Sequence, residues 1–241
     1  MVLGCFTTAE PDLSAKELME RTGLPKATLF RVLANLRELG MIKYSEKRAR
    51  FRPAPAVLAL GAPVLSGMTI RQLARPLMQE LADYFEGQVS LAVGDGSEFL
   101  YVELVQGRGS RVYRPEVGSA ASLTRTASGR IYLTQLDPEE REPLIQRITR
   151  GDPDRIEWLT EKLAETQSQL QELGYCRNMG ELARDVVGGA VPLRADLSED
   201  PLFVFGFSLP AFRLSQQPDL LDDVGMRMVA LVRNVEVALG R

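Results

Sequence analysis

Residues 13–52 read LSAKELMERTGLPKATLFRVLANLRELGMIKYSEKRARFR, and this stretch decides the N-terminal fold. Ser14, with Glu17 three residues on, forms a Ser-x-x-Glu capping box that satisfies amides left open at a helix start. Ala15, Leu18 and Met19 are the apolar positions of that helix, and Gly23 suits its end. Pro25 then opens a second helix in its first turn, where a missing N–H costs nothing. Leu29, Val32, Leu33, Leu36 and Leu39 recur at helical spacing and predict its buried face. The other face carries Lys26, Thr28, Arg31 and Asn35, side chains suited to phosphates or base edges, and Ala27 is small enough to meet a thymine methyl. Residues 41–44 and 50–52 alternate as strands, with 45–49 as the turn. This hairpin holds Lys43, Lys47, Arg48, Arg50 and Arg52 against Glu46 alone, a bias suited to a phosphate backbone or to a minor groove entered by Lys47 or Arg48. Two helices, a tight turn and a basic hairpin make a winged helix-turn-helix, which points to double-stranded DNA.

Charge supports a division of labour. Residues 1–62 hold ten Lys+Arg and six Asp+Glu, a balance of +4, while residues 63–241 hold nineteen and twenty-six, a balance of −7. A locally basic head on an acidic body fits a DNA-reading module joined to a domain with another task. With 241 residues the chain has length for two cores. No apolar run approaches the roughly 20 residues of a membrane span, and the first residues lack a secretory signal pattern, so the expectation is a cytoplasmic protein without a membrane partner. Cys5 and Cys176 stand far apart and imply neither a disulfide framework nor a zinc site. The chain has no histidine, which removes Ser-His-Asp and Cys-His nucleophile systems and imidazole metal sites. No catalytic residue, metal site or cofactor is expected.

Further along, 53–55 (Pro-Ala-Pro) marks a break and 57–65 reads as a short apolar linker helix. An amphipathic helix starts at Thr69, with Ile70, Leu73, Leu77, Leu81 and Phe85 on one side. Strands are predicted at 88–93, 98–106, 111–115, 175–178, 188–193 and 202–208, with a hairpin turn at 94–97. Helices are predicted at 126–135, 138–147, 155–173 and 219–239. The pattern is an α+β domain around an antiparallel sheet flanked by helices. The expected division is 1–53 for the winged head, 54–68 for the linker and 69–241 for a second domain. Residues 1–6 read as the end of a first helix short for such a head, which points to an upstream start.

The segment 122–129, Ser-Leu-Thr-Arg-Thr-Ala-Ser-Gly, runs from extended chain into a helix, so its backbone amides can face an anion. Thr124, Thr126 and Ser128 add hydroxyls, Ala127 and Gly129 are small, and Arg125 is suited to bidentate pairing with a carboxylate.

Three segments, ERTGLPKATLFRVLANLRELGMI (20–42), SLTRTASGRIYL (122–133) and VVGGAVPLRADLSEDPLFVFGFSLPAFRLS (186–215), resemble the IclR family of bacterial transcription regulators in order and spacing. The middle segment departs from the family pattern at Arg125 and Ser128. The resemblance implies a winged helix-turn-helix, a linker helix and a GAF-like effector domain, assembled as a homodimer or dimer of dimers. It also places an effector pocket at 122–129 together with Gly188, Gly189, Ala190, Gly206 and Ser208. The expected effector is a small organic carboxylate, aromatic or not. Two alternatives stand beside a ligand-responsive DNA-binding regulator: a small-molecule sensor whose head meets a protein partner, and a GAF-like enzyme. Steep salt dependence of DNA binding separates the first from the regulator; the missing histidines and nucleophile constellation argue against the second.

Overall fold

The computed structural model describes residues 2–94, 99–112, 114–193 and 201–240. The chain forms two compact units, Met1–Met68 and Thr69–Arg241.

In the first unit a single 3-10 turn, Leu3–Cys5, precedes α1 (Ala15–Thr22) and α2 (Lys26–Glu38). Both halves of the capping box are formed at Ser14, and Gly23 ends α1 in the left-handed conformation at φ 66°. Pro25 sits one place earlier than expected, as the N-cap of α2. Strands β1 (Ile42–Ser45) and β2 (Arg50–Pro53) pair antiparallel as the wing. The core is Val2, Leu13, Leu18, Leu29, Leu33, Ile42 and Phe51. Each such buried side chain contributes about 1.5–3 kcal/mol relative to exposure. Val32 and Leu36 flank that core half-buried, but Leu39 is 65% exposed: it caps α2 past the last turn that packs on α1. The wing is stitched to the segment before α1, because Leu13 and Phe51 exchange both backbone hydrogen bonds. Helix α3 (Ala56–Gly67) follows and buries none of its residues within the described chain.

The second unit starts with α4 (Thr69–Phe85). Its buried stripe is Ile70, Ala74, Met78, Leu81, Ala82 and Phe85, with the expected Leu73 and Leu77 only half-buried at its margin. Strands β3 (Gln88–Gly94) and β4 (Phe99–Gln106) pair antiparallel; the turn expected at 94–97 lies outside the described residues beyond Gly94. No strand occupies the described part of 111–115, where the chain takes irregular turns after Gln106. Helices α5 (Ala127–Gln135), α6 (Pro138–Thr149) and α7 (Pro153–Leu173) come next. Strands β5 (Cys176–Asn178), β6 (Val186–Pro192) and β7 (Leu202–Pro210) then complete a five-stranded antiparallel sheet in the order β4-β3-β7-β6-β5. A four-residue helix, α8 (Arg213–Gln216), and the long α9 (Leu220–Ala238) close the unit.

The period of two along β7 explains how the sheet serves two layers. Phe203, Phe205, Phe207 and Leu209 alternate with Val204, Gly206 and Ser208. Phe207 meets Phe85 of α4 edge-to-face at 6.2 Å, so that face packs on α4 and α9. Val204 joins Ala92, Ala190 and Cys176 in a core with Ile131, Tyr132 and Leu159, so the other face lies under α5, α6 and α7. Glu103 on β4 is 3% exposed and takes Arg71 at 3.0 Å and Arg75 at 2.6 Å, which fixes α4 to the sheet edge.

The capping box also carries charge. The Ser14 amide donates to the Glu17 carboxylate at 2.7 Å, the Ser14 hydroxyl does so at 2.7 Å, and Arg50 reaches it at 3.1 Å. These bonds, the amide first, hold the Glu17 carboxyl at about 2, down from 4.5. A carboxyl lowered by folding stabilises the fold above its ordinary value and loses that contribution as pH falls through the folded value. Protection of the α1 amides in hydrogen exchange on the full chain should therefore decline between pH 4.5 and 2 more steeply in the wild type than in Glu17→Gln. Parallel declines in the two proteins contradict this role.

Candidate functional site

Two surfaces carry the residues singled out in the sequence, one in each unit. On α2 the side chains of Lys26, Ala27, Arg31 and Asn35 are exposed, along one stripe that starts at the helix N-terminus. Thr28 is half-buried at the edge of that stripe, one residue before the buried Leu29. Phe30, which sequence reasoning passed over, is 44% exposed on the same face. An apolar residue surrounded by Lys26, Ala27 and Arg31 was a legible signal, because the buried stripe did not need it.

The wing is less free than its charge count implies. Lys47 is exposed at the turn, and Lys43 and Arg52 are exposed on the strands. Arg48 pairs with Asp12 at 3.6 Å while keeping 64% of its side chain exposed. Arg50 donates to the Asp12 carbonyl at 2.7 Å and to Glu17 at 3.1 Å, so it ties the wing to the start of α1 while 38% of its side chain stays exposed. These bonds form because β2 runs directly beside the segment that caps α1.

In the second unit the sheet and α5 enclose a cavity of about 440 Å³, within the range of small-molecule sites. The register builds its floor. Gln88, Ser208, Gly188 and Asn178 form one cross-strand row over β3, β7, β6 and β5, and Ser90, Gly206, Ala190 and Cys176 form the next row on the same face. Gly206 leaves little room on the floor: a β-carbon there would lie 2.6 Å from Ser128 Oγ and 2.8 Å from Ser90 Oγ, so both hydroxyls would have to turn aside. The walls are mostly apolar, with Val112, Ala121, Leu182 and Val187 among them, and no charged side chain lines the cavity among the described residues.

Of the residues expected here, Thr126, Ala127, Ser128, Gly188, Gly189, Gly206 and Ser208 line the cavity. Thr126 is occupied as the N-cap of α5: its hydroxyl donates to the Ser122 carbonyl at 2.6 Å and accepts from the Gly129 amide at 3.0 Å. Gly129 and Ala190 lie behind the lining. A β-carbon at Gly129 would strike the Ser122 carbonyl at 2.3 Å, and Ala190 packs in the core. Thr124 and Arg125 open onto a different surface beside Trp158 and Arg155. The expected carboxylate clamp, Arg125, is instead a brace: it donates to the carbonyls of Glu181 at 2.8 Å and Leu182 at 2.6 Å. Asn178 returns the tie by donating to the Arg125 carbonyl at 2.7 Å. These bonds hold the loop that brings Leu182 and Ala183 to the cavity wall.

Gln88, Ser90 and Asn178 were missed. Polar residues at alternate positions of an otherwise apolar strand, as in Gln88-Val-Ser90-Leu-Ala, mark a wet sheet face and were the available signal. Burial pushes the Cys176 thiol up to about 12 and raises Tyr101, so both stay neutral at ordinary pH. No group of three or more His, Cys, Asp or Glu suited to a metal ion occurs among the described residues. No single described helix is long and apolar enough to cross a membrane.

Comparison with known proteins agrees with this architecture. Residues 62–230 match the family model for the bacterial transcriptional regulator IclR C-terminal domain, and residues 1–46 match the IclR helix-turn-helix domain. The crystal structure of an IclR family transcriptional regulator from Brucella abortus superposes with a TM-score of 0.87 at 33% identity, covering 99% of this chain and 89% of that one. The HTH-type transcriptional regulator TsaQ1/TsaQ2 of Comamonas testosteroni is 26% identical over 99% of this chain and 85% of its own length. An IclR homolog from Microbacterium hydrocarbonoxydans, crystallised with 4-hydroxybenzoate, shares the fold with a TM-score of 0.66 at 20% identity, over 97% and 96% of the two chains.

The brace makes a prediction. Arg125→Ala removes two charge-assisted hydrogen bonds and should lower the stability of the second unit by about 1–2 kcal/mol in urea unfolding. Unchanged unfolding would show that the loop stands without it.

Proposed function

This chain belongs to the IclR family of bacterial transcriptional regulators and is a DNA-binding transcriptional regulator; we propose that it responds to a small organic acid held in the cavity of its second unit. The observation that carries the proposal is the cavity itself, which ends at the N-terminus of α5. The first-turn amides of Ala127 and Ser128 have no intrahelical acceptor, and the positive end of a helix favours an anion there. With no cationic side chain in the lining, the backbone is the group that complements a carboxylate, and Arg125 acts only through the loop it holds. The 4-hydroxybenzoate bound by the Microbacterium hydrocarbonoxydans relative supports an acid of this size.

On DNA, α2 enters the major groove, with Thr28 and Arg31 at base edges, Asn35 beside them, Ala27 at a thymine methyl and Lys26 at phosphate. Lys47 and Arg48 reach the flanking backbone. The working division is a head at 1–53, a linker at 54–68 and an effector domain from 69, and the protein acts in the cytoplasm with the bacterial chromosome. Leu58, Leu60 and Val64 stand exposed on α3, which supports assembly as a homodimer or dimer of dimers. Ligand changes DNA affinity only by binding the DNA-competent and DNA-incompetent arrangements unequally.

Fluorescence anisotropy on a duplex selected by the protein from a random library tests the DNA contacts. Arg31→Ala should weaken specific binding by about 1–3 kcal/mol, and Arg50→Ala should destabilise the head without changing which bases are preferred. Equal affinity of wild type and Arg31→Ala would remove Arg31 from the base-reading set.

A further inference from the structure

Phe30 is an aromatic side chain that the fold of the head does not use. It is 44% exposed, and it belongs neither to the core of that unit nor to the half-buried side chains packed on it. The other rings of the head are employed: Phe51 is in the core, Phe6 flanks it, and Tyr44 lies 4.7 Å from Phe51. Helical spacing sets Ala27, Phe30 and Ala34 along one exposed row of α2. Arg31 and Asn35 run along one flank of that row, and Lys26 and Arg37 along the other, all four exposed. Glu38, the acid on this face, sits in the last turn. Side chains in a helix lean toward its N-terminus, so the ring of Phe30 lies over the turn of Lys26 and Ala27. That end of a recognition helix is the one that meets base edges.

We propose that Phe30 is a thymine-specificity residue, which forms with Ala27 an apolar seat for the C5-methyl group of a thymine in the major groove. The inference rests on the reading that α2 enters that groove, and it adds a base preference to it. Among the groups that base pairs present there, the thymine methyl is the apolar one. The flanking cations suit phosphates and hydrogen-bonding base edges, and they leave the row between them to a contact without charge. Phe30 offers the base neither a hydrogen bond nor a charge, so its contribution is apolar contact alone. Discrimination of this kind is insensitive to salt, whereas phosphate contacts weaken as salt rises.

The test is fluorescence anisotropy of the full-length protein on its selected duplex and on copies in which single thymines are replaced by deoxyuridine, which removes the methyl group and keeps the base pair. The wild type should lose ~4-fold in affinity at one or more thymines, the worth of about one buried methyl group, by the same factor at low and high salt. Phe30→Ala and Phe30→Gln should bind the thymine and uracil duplexes equally and melt with the wild type. A wild type indifferent to every replacement, or a selected duplex without thymine, overturns the role of Phe30 whatever the variants do. The reading of α2 then still stands if Arg31→Ala weakens specific binding. A thymine preference kept by variants that melt normally assigns the methyl to another residue and overturns the proposal. Loss of folding in both variants makes Phe30 a structural residue and overturns it as well. If neither Arg31→Ala nor a folded Phe30 variant changes specific binding, α2 itself is removed from the groove.

Discussion

Ser128 stands so close over Gly206 that a β-carbon there would meet two serine hydroxyls within 3 Å, and this approach of α5 to the sheet determines where the cavity lies. A side chain at that position would turn both hydroxyls aside and take up part of the space above the sheet. Thr126 caps the same turn, which fixes the direction of α5, and the Arg125–Glu181–Leu182–Asn178 bonds hold the adjoining wall. The result is a half-open space lined by backbone amides, a few hydroxyls and amides, and no charged side chain among the described residues.

The head obeys a different logic. Its short helices stay in place because Val2, Leu13, Leu18, Leu29, Leu33, Ile42 and Phe51 form one small core, and because the wing pairs backbone to backbone with the residues before α1. Arg50 and Glu17 sit at that seam, so two residues of opposite charge are spent on internal order. What remains outward is a stripe on α2 and a turn with Lys47, a cationic surface on an otherwise acidic protein. Surface cations of this kind act on phosphate through counterion release, which makes the interaction salt-dependent.

Element types were legible because periodicity and capping are local. The Ser14–Glu17 box, Gly23, the apolar repeat of α2 and the alternation on β7 each announce themselves within a few residues. The failures are those of partner choice. Nothing near Arg125 says that it will find the carbonyls of Glu181 and Leu182, more than fifty residues away, rather than a ligand. Arg50 reads as one more wing cation until β2 is laid beside Asp12. Residues 111–115 alternate like a strand, yet residues 118–121 take the outer edge of β4, where Tyr101 and Ser119, and Ala121 and Phe99, share backbone hydrogen bonds. Conversely, Gln88 and Ser90 carried a readable signal, polar residues in step on a buried strand, whose meaning depended on Ser208 and Gly206 lying beside them.

The central claim is that the space above Gly206 is where a small acid acts on DNA binding. Its most direct measurement is the affinity of full-length wild type and Gly206→Val for a selected duplex, with and without a saturating small organic acid first identified by a thermal-shift screen of the wild type. The account predicts a ligand-dependent change of ~5–150-fold in the wild type, the range of ordinary allosteric coupling, and none in a variant that still binds the duplex. The same ligand response in both proteins would contradict it.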